Sequence, residues 1–198
     1  MTDTQDGATP SAGPGRPRRD RQALLDAAAA VFVRSGVDAP VREIATAGGV
    51  GMGTIYRHFP TRAELVVAVY RHQVEACAEA GPRLLEGSAS AEAALRDWMS
   101  LFVEFLVTKH GLAAALHGDS AGSDALHAYF VDRLVPVCGA LLDAARTEAG
   151  SAGAGSAVDG YGLLRGVGNL CIGAADDPRY DARELVQALV SGALVGVR

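Results

Sequence analysis

The chain has 198 residues, almost half of them apolar, and a formal net charge of −5. That length allows one large domain or two small ones, with enough apolar material for a sizeable core. The absence of any run of 18 uninterrupted apolar residues argues against a membrane span, and three scattered cysteines (Cys77, Cys138, Cys171) with no CxxC or Cys/His cluster argue against a disulfide framework or a zinc site.

The charge is uneven. Residues 14–62 carry eight arginines against four carboxylates, a net +4, whereas residues 73–198 are net −7. A basic front on an acidic body suits an anionic partner at one end only. Residues 1–14 hold no apolar signal region, so a cytoplasmic location is expected.

Residues 1–15, rich in Gly, Pro, Ser and Thr, read as a disordered arm. Arg16, Arg18 and Arg19 then lead into a helix whose Leu24, Ala27, Ala28, Val31 and Phe32 fall at helical spacing through Ser35. Gly36 is its expected C-cap. Pro40 suits the first turn of a helix over 41–47. A glycine turn, Gly48-Gly49-Val50-Gly51, leads to a short helix over 53–59, stopped by Pro60. Two short helices joined by about four residues make a helix-turn-helix. Ile44, Ala45, Val50, Ile55 and Phe59 would bury the angle between them, leaving Thr54, Tyr56, Arg57 and His58 outward.

Thr61-Arg62-Ala63-Glu64 has the form of a capping box and opens a helix expected to reach Ala80, where Gly81-Pro82 should end it. The next helix spans 91–109, with a short helix over 112–117 after Gly111. A further helix spans 123–148, and Pro136 should kink or split it. Two final helices are expected over 158–174 and 182–196, the second behind its own capping box, Asp181 to Glu184. No alternating strand pattern competes, so the class is all-α. No Ser/His/Asp order, phosphate-cradling loop or metal spacing supports an enzyme, and no cofactor is called for.

Residues 41–65, VREIATAGGVGMGTIYRHFPTRAEL, resemble the signature of the TetR family of transcriptional regulators, and the preceding helix, LLDAAAAVFVRSGVDA, fits it too. The C-terminal LLRGVGNLCIGA and ARELVQALVSG are similar to the SbtR-like C-terminal group of that family. The resemblance implies a three-helix DNA-binding domain over 16–62 and a helical ligand-binding and dimerisation domain over 63–198. It implies a homodimer that binds double-stranded DNA and answers to a small, mostly apolar ligand, with repression as the expected mode. Position by position, it makes Arg42 a base contact. Met52, Gly53, Tyr56 and Arg57 would meet bases or the groove floor. Thr54, Tyr56, His58 and Arg62 would meet phosphates. Glycines at 49 and 51 are expected to cost the reading head some order, about 0.5–1 kcal/mol each relative to alanine in a helix.

In the larger part, Trp98, Met99, Phe102, Phe105, His117, Tyr129 and Phe130 supply aromatic surface with a few polar handles, the usual composition of a ligand pocket; core packing is the alternative for each. Leu163, Val167, Leu170, Leu189 and Ala193, at helical spacing among small residues, are the expected dimer contacts; burial inside one subunit is their alternative. The long helix from Thr61 joins both parts and is the natural lever between ligand and DNA.

Overall fold

The computed structural model describes residues 16–115, 120–150, 158–172 and 179–195, with side chains at 20–106, 122–150, 158–172 and 179–195. Among them it contains eight α-helices and no strand: α1 Arg16–Ser35, α2 Val41–Ala47, α3 Met52–His58, α4 Arg62–Gly87, α5 Ala91–Ala115, α6 Ser120–Glu148, α7 Gly160–Leu170 and α8 Ala182–Val195. The chain is all-α. The N-terminal arm and His117 lie outside the described residues, as do the side chains of Arg16, Arg18 and Arg19.

The front of the chain follows its local signals closely. Leu24, Leu25, Ala28, Val31 and Phe32 bury one face of α1. Gly36, at φ +78, ends it, and its N–H donates to Phe32 O at 2.9 Å. Pro40 stands one place earlier than expected, as the residue before α2, and α3 starts and ends one residue earlier, with Phe59 just outside it. The capping box at α4 is complete: Glu64 N–H donates to Thr61 Oγ1 at 3.2 Å, and Thr61 N–H donates to Glu64 Oε2 at 3.1 Å.

Further along, tertiary packing overrides the breakers. Helix α4 does not stop at Ala80 but runs through Pro82 to Gly87. Gly81 works there as a point of close approach rather than as a stop: a Cβ on it would lie 2.2 Å from Val137 Cγ1 of α6. Helix α5 passes through Gly111 to Ala115, so residues 112–115 continue it rather than begin a separate helix. Helix α6 begins three residues earlier than expected and is not split at Pro136. Proline in a helix interior costs about 3 kcal/mol, and burial of the surrounding Leu126, Phe130, Leu134, Cys138, Leu141 and Leu142 offsets it. Helix α7 is shorter than the pattern suggested.

One contiguous core runs from Leu24 in α1 to Leu194 in α8. Helix α4 is its spine, packed on α1, α5 and α6, while α7 lies on α6 and α8. Polar ties fix the C-terminal helices. Arg146 on α6 donates to Ala193 O at 2.8 Å and to Val158 O at 2.8 Å, placing a cation at the carbonyl end of α8, where the helix dipole favours it. Arg96 on α5 reaches Gln187 Oε1 at 2.5 Å and Ser191 Oγ at 2.9 Å on α8. Cys77 and Cys138 are buried, and burial pushes both thiols up to about 12, so they pack as small apolar groups. By length and composition α6 would pass as a membrane-crossing helix, but its Leu126, Phe130, Leu134, Cys138, Leu141 and Leu142 are buried in the bundle.

Candidate functional site

The helix-turn-helix is built as its residues require. Ile44 and Ala45 of α2, Ile55 of α3 and Phe59 just after it are buried. The turn closes by two bonds, Gly49 N–H to Thr46 O at 3.3 Å and Val50 N–H to Ala45 O at 3.0 Å. Gly49 lies outside α2 at φ +61, a left-handed conformation that L side chains adopt at a cost. The expected penalty for this glycine is therefore corrected: it fits the turn. Gly51 precedes α3 with extended backbone and offers no side-chain cap.

With Ile55 turned inward, α3 presents Met52, Gly53, Tyr56, Arg57 and His58 to solvent, with Thr54 half-buried beside them. Met52 and Tyr56 are each 51% exposed, which is unusual for such large side chains unless they meet a partner. Arg42 is exposed on α2. It shares an open cleft with Arg34, at the end of α1, and with Glu43, Thr46 and Ala47. No ion pair among the described residues involves Arg34, Arg42 or Arg57. Arg34 was not singled out from sequence. Its position in the last turn of α1 was readable, but its proximity to Arg42 depends on how α1 meets α2.

Arg62 is placed differently from the rest. Its guanidinium donates to Val37 O in the α1–α2 connection and lies 5.1 Å from the centre of the buried Phe32 ring. Partial burial lowers its pKa, against the opposing pull of Asp38 and Tyr56. The first turn of α4 thus grips the head through Arg62, and a second tie, His72 Nε2 to Asp26 Oδ1 at 2.6 Å, joins α4 to α1. Arg21 stacks 5.2 Å from the Phe59 ring at the end of α3.

Residues 24–69 match the model of bacterial regulatory proteins of the tetR family. The TetR transcriptional regulator SCO0520 from Streptomyces coelicolor is 30% identical, with 87% of this chain and 97% of that one covered and a TM-score of 0.72. The chain belongs to the TetR family. Members of this family are transcriptional regulators rather than enzymes. A further relative, the HTH-type transcriptional repressor LfrR of Mycolicibacterium smegmatis, is 38% identical over 88 residues, which are 44% of this chain and only 46% of that protein. The structure of LfrR in complex with proflavine superposes with a TM-score of 0.61 at 23% identity, covering 92% of this chain and 100% of that one, a likeness of fold.

In the body of this TetR-family chain, the aromatic residues separate into groups. Trp98, Met99, Phe102 and Phe105 are fully or almost fully buried. The rings of Trp98 and Phe102 stack at 6.0 Å, and Phe102 lies 5.9 Å from Phe130. Trp98 Nε1 donates to Cys77 O at 2.8 Å. These are core contacts. Tyr129 faces α4 instead, where its hydroxyl donates to Glu75, and burial and that carboxylate push its phenol up. Among the described residues of the expected pocket, Phe130 alone borders the cavity between α5, α6 and α7.

The expected dimer residues also divide. Leu163, Val167 and Ala193 are buried inside the subunit, while Leu170 and Leu189 are half-buried. Leu189 packs on Gly166, whose added Cβ would lie 3.0 Å from Leu189 Cδ2. The outward stripe of α8 is Leu185, Ala188, Gly192 and Val195, all exposed and none charged. The periodicity picks out the inward face of these helices; which apolar stripe faces in depends on the packing of α7 and α8 on α6.

Proposed function

We propose that the protein is a homodimeric, ligand-responsive repressor that binds a near-palindromic operator, with one reading head in each of two successive major grooves. The observation that carries this is the exposed α3 surface, with Tyr56, Arg57 and Met52 outward and Arg57 in no ion pair among the described residues. In this reading Arg42, Met52, Gly53, Thr54, Tyr56, Arg57 and His58 make the DNA contacts, Arg34 adds a phosphate contact beside Arg42, and Arg62 braces the head on α4. The arm at 1–15 precedes a head over 16–62 and a regulatory body over 63–198. Residues 160–172 and 182–195 support an SbtR-like C-terminal half by sequence resemblance.

Repression is favoured because LfrR, 38% identical over 88 residues, is a repressor. Response to a ligand is favoured because LfrR, of the same fold, holds proflavine and because this chain has a cavity with an apolar floor among its C-terminal helices. A ligand acts only by binding the non-DNA arrangement better, and α4, fastened to the head by Arg62 and His72, is the element that can carry the difference. The protein acts in the cytoplasm on this reading. The outer stripe of α8, with α7 packed beside that helix, supports a four-helix dimer interface in place of the inward residues Leu163, Val167 and Ala193.

Arg57→Ala tests the assignment. A side chain reading a base edge contributes about 1–3 kcal/mol, so operator affinity in a gel-shift titration should fall at least fivefold while the protein stays folded and dimeric. Unchanged affinity would remove Arg57 from the interface.

A further inference from the structure

The cavity between α5, α6 and α7 has a volume of about 270 Å³, near the lower limit for sites that enclose an organic ligand. Its floor is Leu106, Phe130 and Leu164, all buried. Its rim carries His127, Arg165 and Asn169. Each of these three side chains can donate a hydrogen bond, and no carboxylate is among the described residues that line the cavity. Arg165 is held in place along α7 by Tyr161, whose hydroxyl lies 3.1 Å from Nη1. His127 stacks on Phe130, with ring centres 6.1 Å apart and planes 18° apart.

We infer that this cavity takes a small organic anion, a carboxylate on a short apolar body, with Arg165 as the partner of the headgroup. The inference rests on the ligand-responsive reading above and specifies its ligand class. The apolar floor favours any hydrocarbon that fits. The rim decides the charge: a guanidinium pairs with a carboxylate through charge-assisted, often bidentate bonds, whereas a cationic headgroup would meet Arg165 as a like charge and find no acidic partner among the described lining residues. The small volume selects a short body over a long chain.

Three probes of one length and three headgroup charges test this: octanoate, octanamide and octylamine, titrated calorimetrically at neutral pH into the full chain. Quenching or enhancement of Trp98 fluorescence gives a second readout, since Phe102 links that indole to Phe130 on the floor. Octanoate should bind at least tenfold more tightly than octanamide, and octylamine more weakly than either. Arg165→Met should bring octanoate down to the octanamide level while octanamide changes less than twofold. Arg165→Lys should keep a preference for the anion. Gly168→Phe, at a position where a Cβ meets nothing within 4 Å, should fill the cavity and abolish binding of all three. Equal or tighter binding of octanamide or octylamine, an anion preference that survives Arg165→Met, or no octanoate binding at millimolar concentration would each overturn the inference. Operator binding measured in parallel separates it from the broader reading. Octanoate that binds through Arg165 without releasing DNA would refute ligand response and leave the anion site. Release of DNA by octylamine would do the reverse.

Discussion

Gly49 shows how one residue can change meaning between sequence and structure. In a string of glycines it looks like a loss of order. In the fold it occupies the left-handed position after α2, with the paired bonds Gly49 N–H to Thr46 O and Val50 N–H to Ala45 O that satisfy the last carbonyls of the helix. Gly49→Ala should therefore destabilise the protein by about 1–2 kcal/mol, the cost of a Cβ at positive φ, measurable by urea unfolding. No clash adds to that cost, because a Cβ there meets nothing within 4 Å. A mutant as stable as the parent would show that the turn relaxes to another conformation at no cost. Arg62 gains a meaning in the same way. Its type and position in the first turn of α4 suggest a phosphate contact, and the carbonyl of Val37 and the ring of Phe32 add an intramolecular tie. Both features come from backbone geometry and from contacts distant in sequence, neither of which a local motif encodes.

At the scale of elements, the head was almost wholly legible, since capping, turn chemistry and helical period agree there. The body was legible in class and number of long helices but not in their ends, because Gly81, Pro82, Gly111 and Pro136 are local stop signals that packing overrides. Gly81 gives the sharpest test. Val137, β-branched and so stiff at χ1 in a helix, cannot easily move away from a new methyl group that would sit 2.2 Å from its Cγ1. Gly81→Ala should cost about 1–3 kcal/mol, as overpacking does, despite alanine's better helix propensity. Val137→Ala in the same chain should recover most of it. Thermal melts of the two variants and the double mutant decide the matter: a G81A protein as stable as the parent would mean that α4 and α6 separate without cost. The same two helices are tied by Glu75, which accepts from Arg133 Nε at 2.8 Å and Nη2 at 2.5 Å, and from the Tyr129 hydroxyl. Chiefly the Arg133 hydrogen bonds hold its carboxyl below the usual range. A depressed folded value adds stability that is complete above the unfolded carboxyl pKa of about 4.3 and is lost as pH falls through the lower folded value. Glu75→Gln should accordingly flatten the acid limb of a stability-versus-pH curve below pH 4.3; an acid limb of unchanged slope would remove this pair from the acid response.

For the whole molecule, the decisive quantity is where unsatisfied apolar surface remains once the single core is complete. Most of the candidate dimer residues read from periodicity are spent inside the subunit, because α7 and α8 must first cover α6. What α8 leaves outside is Leu185, 41% exposed, and Val195, 75% exposed, aligned with Ala188 and Gly192 at intervals of three and four residues. Two such helices can approach a second copy closely, since Ala188 and Gly192 carry little side chain, and a two-fold axis would set each stripe against its equivalent. A charge in the middle of the stripe then tests assembly without testing folding. Ala188→Glu is exposed in the isolated subunit, so the helical circular dichroism of the chain should be retained. In a self-complementary interface the mutation places two carboxylates near one axis, where like charges out of water repel strongly. Sedimentation velocity at micromolar concentration should show a dimer for the parent and a monomer for the variant. Operator binding should weaken together with assembly, because each monomer then grips one half-site alone and loses the gain from linking two sites. A variant that remains dimeric would move the interface off α8.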